Sequence, residues 1–175
     1  MAKVVLILCC CLLLLGCQTE KDKFQTGMVE IKVVRVVSGQ TLQVTGFREQ
    51  PNLVSEVRLT GISSPPTRYR PWGEASRQRL IELIEDKSSP VRLEFDVEAK
   101  DKYQRTLAYI WKDETLINEQ LVKEGHALFV ARSPNHKYDN RLERAQHWSR
   151  LMGKGIWNPK DPMRLSPSEF RRVYR

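Results

Sequence analysis

The sequence predicts an α+β fold that is mainly β at its core, a five-stranded barrel carrying three α-helices. Three observations lead there. Short apolar stretches alternate with polar residues at the period of a strand. Longer stretches carry apolar residues at helical spacing and end at glycine or proline. Their order is three strands, one helix, two strands and two helices, which suits a closed barrel of the OB type.

The first strand begins at Val29, where Val29, Ile31 and Val33 alternate with polar residues and Val34 to Val37 continue the apolar content. Ser38-Gly39 breaks it, and Thr41 to Phe47 resumes. Residues 48–53 read as a polar loop around Pro51, and Val54 to Ile62 as a third strand. Strict alternation of Val91, Leu93, Phe95 and Val97 gives the fourth, and Leu107, Tyr109 and Trp111 the fifth. The first helix runs from Glu74 to Glu85, after Pro71-Trp72-Gly73 and before Ser88-Ser89-Pro90. Ile117 to Glu124 is short and stops at Gly125, a residue suited to a left-handed cap. Asp139 to Met152 is the third, with Gly153 after it.

The 175 residues suffice for one domain with its own core. The formal net charge of +8 favours anionic partners: nucleic acid, anionic lipid or an acidic protein face. From Arg141 to Arg175 nine Lys or Arg face three Asp or Glu, so residues 159–175 read as a basic C-terminal tail. Such a tail either lies along a lipid surface or phosphate backbone, or wraps the barrel with Phe170 and Tyr174 packed down. The second reading is preferred.

Residues 1–17 stand apart. After Lys3, Val4 to Leu15 is an unbroken apolar run of twelve, the length of a signal-peptide core and short of the ~20 that span a bilayer. It ends in Leu14-Leu15-Gly16-Cys17, which resembles a bacterial lipobox. That resemblance implies lipidation at Cys17, a membrane anchor and an extracytoplasmic location, on a periplasmic or cell-surface face. Residues 18–27 then form a tether and residues 28–158 the domain. All four cysteines lie at or before position 17, so the mature domain has neither disulfide nor thiolate site.

Five short segments carry a family resemblance. Asp101-Lys102-Tyr103-Gln104-Arg105-Thr106-Leu107-Ala108 is close to the Asp-Lys-Tyr-Gly-Arg-x-Leu-Ala segment of staphylococcal-nuclease-like (thermonuclease) domains. Val57-Arg58-Leu59-x-Gly61-Ile62 resembles their arginine-bearing strand, and Gly73-Glu74-Ala75-Ser76 the start of their first helix. Ile117-Asn118-Glu119-x-Leu121-Val122-x-Glu124-Gly125 resembles the second helix, and Gly155-Ile156-Trp157 the segment after the third.

The resemblance implies a calcium-dependent phosphodiesterase site. Carboxylates would hold calcium, a glutamate would act as general base, and two arginines would bind phosphate. The motifs depart from that pattern. Asp-Gly-Asp-Thr reads Ser38-Gly39-Gln40-Thr41, and Asp-(Thr/Ala)-Pro-Glu reads Ser63-Ser64-Pro65-Pro66. The metal-ligand positions are thus Gln40 and Ser63, and the general-base position is Pro66, which has no proton acceptor. Arg58 and Arg105 remain, with Lys102 and Tyr103 at positions near the phosphate. The expected site is therefore basic and anion-binding, with no metal or other cofactor. Against it stands a structural reading in which Arg58 pairs with Glu56 and Arg105 with Asp101.

No histidine spacing among His126, His136 and His147 suggests metal ligation. Ser63 and Ser64 have no base nearby in sequence to activate them. The function expected is a lipid-anchored, extracytoplasmic nuclease homologue that binds anions, nucleic acid or a membrane-protein partner without cutting. The competing expectations are an active metal-dependent endonuclease, for which calcium would be required, and a structural subunit or assembly factor of a membrane complex.

Overall fold

The computed structural model describes residues 27–85 and 89–174. The signal segment, Cys17 and the tether up to Thr26 lie outside these residues. Among the described residues no helix is long and apolar enough to cross a membrane.

Strands β1 (Val29–Ser38), β2 (Thr41–Thr45) and β3 (Ser55–Leu59) form an antiparallel meander. β5 (Val91–Glu94) pairs antiparallel with both β1 and β6 (Thr106–Lys112). A parallel pairing of β3 with β6 closes the sheet into a mixed five-stranded barrel. Two short strand pairs extend it: β7 (Thr115–Leu116) beside β6, and β4 (Ile62–Ser63) beside β8 (Leu128–Phe129). The interior is apolar, with Leu42, Val44, Val57, Leu59, Leu93 and Ile110 fully buried. Closure removes the edge strands that an open sheet of this size would expose.

Two strands depart from their sequence patterns. The segment Val54–Ile62 breaks at Gly61, whose φ of +75° turns the chain from β3 into β4. The alternation from Val91 to Val97 stops being structural at Glu94, and Val97 is 73% exposed. In β6 the opposite holds: every residue but Trp111 is buried, because helices cover its outer face. Alternation there is real but does not separate core from solvent.

Helices α1 (Trp72–Glu85), α2 (Ile117–Lys123) and α3 (Asp139–Leu151) match the three expected. Leu80, Leu121 and Leu142 point from them into the core. Arg79 on α1 holds Glu124 after α2 in a two-point ion pair, Nε to Oε2 at 2.6 Å and Nη2 to Oε1 at 2.9 Å. Asn118, fully buried, donates to Thr60 O at 2.8 Å and accepts from Ile110 N at 2.9 Å. It thereby satisfies two backbone groups where β3 turns away from β6.

A fourth helix, α4 (Pro167–Val173), lies in the basic tail. Ser166 caps it with a capping box: Glu169 N donates to Ser166 Oγ, and Ser166 N to the Glu169 carboxylate. Phe170 stacks on Tyr69, with ring centroids 4.0 Å apart and planes 12° apart. Tyr69 Oη accepts from Leu165 N at 3.0 Å. The tail therefore packs on the barrel rather than trailing from it, with Phe170 turned inward and Tyr174 half exposed beside it.

Candidate anion site

Two loops and two strands assemble the site. The first loop is the β1–β2 turn, Ser38-Gly39-Gln40-Thr41. A Cβ on Gly39 would fall 1.8 Å from Ser76 Oγ of α1, so the turn can lie this close to the helix only without a side chain there. The Gln40 carbonyl accepts from Leu59 N at 2.9 Å, fixing the turn to β3. Gln40 Oε1 accepts from Ser64 N at 2.7 Å, fixing it to the second loop.

That second loop is Ser63-Ser64-Pro65-Pro66. Ser63 Oγ accepts from Arg171 Nη2 of α4 at 3.1 Å. Ser64 Oγ is buried with no hydrogen-bond partner among the described residues, so no base activates it. The Pro66 carbonyl accepts from Tyr69 N at 2.8 Å, closing a turn into α1. Gly73 passes so near that a Cβ would sit 1.9 Å from Pro66 O. The proline pair is part of a tightly packed turn.

Between the loops runs Arg58 on β3, opposite Thr41 of β2 and Leu107 of β6. Its guanidinium donates to Leu59 O and Ile62 O, each at 2.7 Å. The expected pairing with Glu56 is absent: Glu56 lies instead 3.9 Å from Arg105. Arg58 bends back along its own strand to the carbonyls freed where β3 ends, and those carbonyls satisfy it. The expected pairing of Arg105 with Asp101 is present, Nε at 2.9 Å and Nη2 at 2.7 Å from Oδ2. Asp101 Oδ1 also accepts from Tyr103 N and Arg105 N. Burial opposes ionisation of Asp101, but these hydrogen bonds, led by the Arg105 side chain, outweigh it and hold the carboxyl below its usual range.

Lys102 and Arg105 both lie over the exposed Tyr103 ring, at 5.1 and 5.4 Å from its centroid. Gln104 beside them takes a left-handed φ of +63°. The four predicted positions thus gather on one face of the barrel around the β3–β6 seam. Burial pushes the Arg58 guanidinium down to about 9, and Arg132, Arg105 and Arg171 each push it the same way. Asp101 pulls it up. Arg171 had no sequence signal beyond a basic tail, and Arg132 had none; α4 and the β4–β8 pairing bring them here.

Calcium does not fit this donor set. Gln40 Oε1 is already bonded to a backbone N–H, Ser63 Oγ faces a guanidinium, and Pro66 offers no side-chain oxygen. Neither amide nor hydroxyl brings the charge that offsets the dehydration of a hard cation. Among the described residues no three His, Cys, Asp or Glu side chains come together as a metal site. His136 is 2.6 Å from Asp139, His147 is exposed, and His126 is half-buried after α2.

Comparison with known proteins agrees with the barrel and its motifs. The family model described as staphylococcal nuclease homologue matches residues 56–159. A thermonuclease of Staphylococcus hyicus is 40% identical over 133 residues, covering 73% of this chain and 75% of that protein. A thermonuclease of Staphylococcus intermedius is 35% identical over 130 residues, covering 71% and 74%. An uncharacterized endonuclease of Haemophilus influenzae is 30% identical over 166 residues, covering 95% and 82%. With its barrel, its arginine strand and its helices in that family's order, the chain belongs to the staphylococcal nuclease family.

Proposed function

We propose that this protein is a lipid-anchored, extracytoplasmic member of the family that binds phosphate-bearing anions, nucleic acid among them, and does not hydrolyse them. One observation carries the reading: the positions that would supply metal ligands and a general base hold Gln40, Ser63 and Pro66, and Gln40 is committed to Ser64 N. Pro66 has no acceptor for the proton of an attacking water, and the Asp101 carboxylate is committed to Arg105. Arg58, Arg105, Lys102 and Tyr103 remain as phosphate-binding groups. Arg58 is charged, buried and hydrogen-bonded to carbonyls instead of a carboxylate, so no carboxylate among the described residues is in contact with it to compete with an incoming anion. The anchor is Cys17, at the end of the apolar run.

The names of the relatives, thermonuclease and endonuclease, favour a second reading in which the chain cleaves DNA or RNA with a metal held by other ligands. One experiment separates the two. The full chain in mild detergent is incubated with single- and double-stranded DNA and with RNA, in EDTA and with calcium, magnesium or manganese. The binding reading expects intact nucleic acid in every condition, with association that weakens steeply with salt. Metal-dependent cleavage that vanishes in an Arg58→Ala, Arg105→Ala double variant would sink it.

A further inference from the structure

The basic tail meets the site at one point. Arg171 reaches from α4 to Ser63 Oγ, and Arg58 reaches the carbonyl of the neighbouring Ile62, so two guanidinium groups meet β4 at adjacent residues. Arg171 is half-buried and, among the described residues, has no carboxylate within ion-pair distance. Its position is not accidental to a loose helix. The capping box fixes the start of α4, Phe170 stacks on Tyr69, and Arg68 donates to the Tyr174 carbonyl. The contacts at Phe170 and Tyr174 thus clamp α4 to the loop that follows Ser63.

We propose that Arg171 is a resident cation of the site: α4 supplies the positive charge at Ser63, so the site holds a phosphate group without a metal ion. The inference rests on the anion-binding reading above. Charge balance supports it. The site is cationic: Arg105, Arg132 and Arg171 each act on the Arg58 guanidinium, Lys102 shares the Tyr103 ring with Arg105, and the carboxylates Asp101 and Glu56 both pair with Arg105. A guanidinium also brings directional N–H donors that match phosphate oxygens, and a tethered one is present at all times. Burial of an unpaired guanidinium costs free energy, which an anion between Arg58 and Arg171 would recover.

The test is fluorescence anisotropy of a labelled single-stranded DNA 12-mer with the full chain in mild detergent, in EDTA and in calcium, across a salt series. The expected result is wild-type binding that is the same in EDTA and calcium. Arg171→Gln should then bind about tenfold more weakly, as loss of one charge-assisted contact predicts. Its log-affinity against log-salt slope should fall by roughly 0.7, the loss of one phosphate contact on a single strand. Arg171→Lys, which keeps the charge, should recover most of the slope. A variant that is merely less folded would bind less probe but keep the wild-type slope. The inference is overturned if Arg171→Gln binds with wild-type affinity and slope, or if wild-type binding requires calcium. Absence of wild-type binding in every condition would instead overturn the anion-binding reading itself.

Discussion

Gln40 and Ser64 are 24 residues apart and joined by a 2.7 Å hydrogen bond, side-chain oxygen to backbone N–H. Through it the β1–β2 turn and the loop before α1 become one rigid rim. The Gln40 side-chain oxygen faces the protein and not an open cavity. Gln40→Ala removes the acceptor and leaves Ser64 N unsatisfied in a buried loop. The expected loss is about 1 to 2 kcal/mol of unfolding free energy, read as a lower denaturant midpoint at unchanged slope. A change under a few tenths would mean that water replaces the amide and the rim is not held by it.

Asn118 does more of the same work. Its side chain satisfies Thr60 O and Ile110 N inside the protein, so Asn118→Ala strands one acceptor and one donor and leaves a cavity. The expected cost is about 3 kcal/mol or more by chemical denaturation. Asn118→Asp keeps the acceptor but buries a charge opposite the Thr60 carbonyl, and should cost at least as much.

Gln104 sits at φ +63°, a conformation that glycine adopts without penalty. Gln104→Gly is therefore expected to stabilise the domain by about 0.5 to 1 kcal/mol, the relief of left-handed strain less the added backbone entropy. Thermal unfolding checks it: a fall in Tm would mean that the Gln104 side chain makes a compensating contact.

Stability should decline in acid in two steps. Burial, above all, holds the His126 imidazole below its usual 6.5; Glu124 pulls it up and Arg79 pushes it down. The unfolded chain thus takes up its proton first, and stability begins to fall as the pH drops below about 6.5. His126→Gln should flatten this first decline. Glu94, Asp101 and Glu124 are held below their usual range because hydrogen bonds from Lys137, Arg105 and Arg79, respectively, outweigh the effect of burial. Their contribution is complete above the unfolded values of 3.8 to 4.5 and is lost as the pH falls through the lowered folded ones. Urea midpoints between pH 7 and 3 would show both steps; a single step confined to the region below pH 4 would remove His126 from the account.

Much of this molecule was legible in one dimension. Barrel strands and helices follow from periodicity because one face of each element meets the core, and Gly125 and Gly153 mark helix ends in the left-handed region. That positions 40, 63 and 66 hold Gln, Ser and Pro is likewise a fact of the sequence, since the chemistry a side chain lacks does not depend on where it lies. The pairing of Arg105 with Asp101 was legible too, because four residues separate the two across one tight turn.

Other features were decided only when the chain folded. Arg58 left Glu56 for the carbonyls at Leu59 and Ile62, because Gly61 ends the strand there and frees acceptors that no local pattern reveals. Val97 kept its alternation but lost its partner strand, and β6 kept its alternation but was buried on both faces. Arg171 is 108 residues from Ser63, and composition marked its segment only as a basic tail. The sequence by itself determined the barrel and the side chains its loops carry. Tertiary structure alone decided which cations stand there, because long-range packing of α4 on Tyr69, and not any local spacing, sets where a tail residue comes to rest.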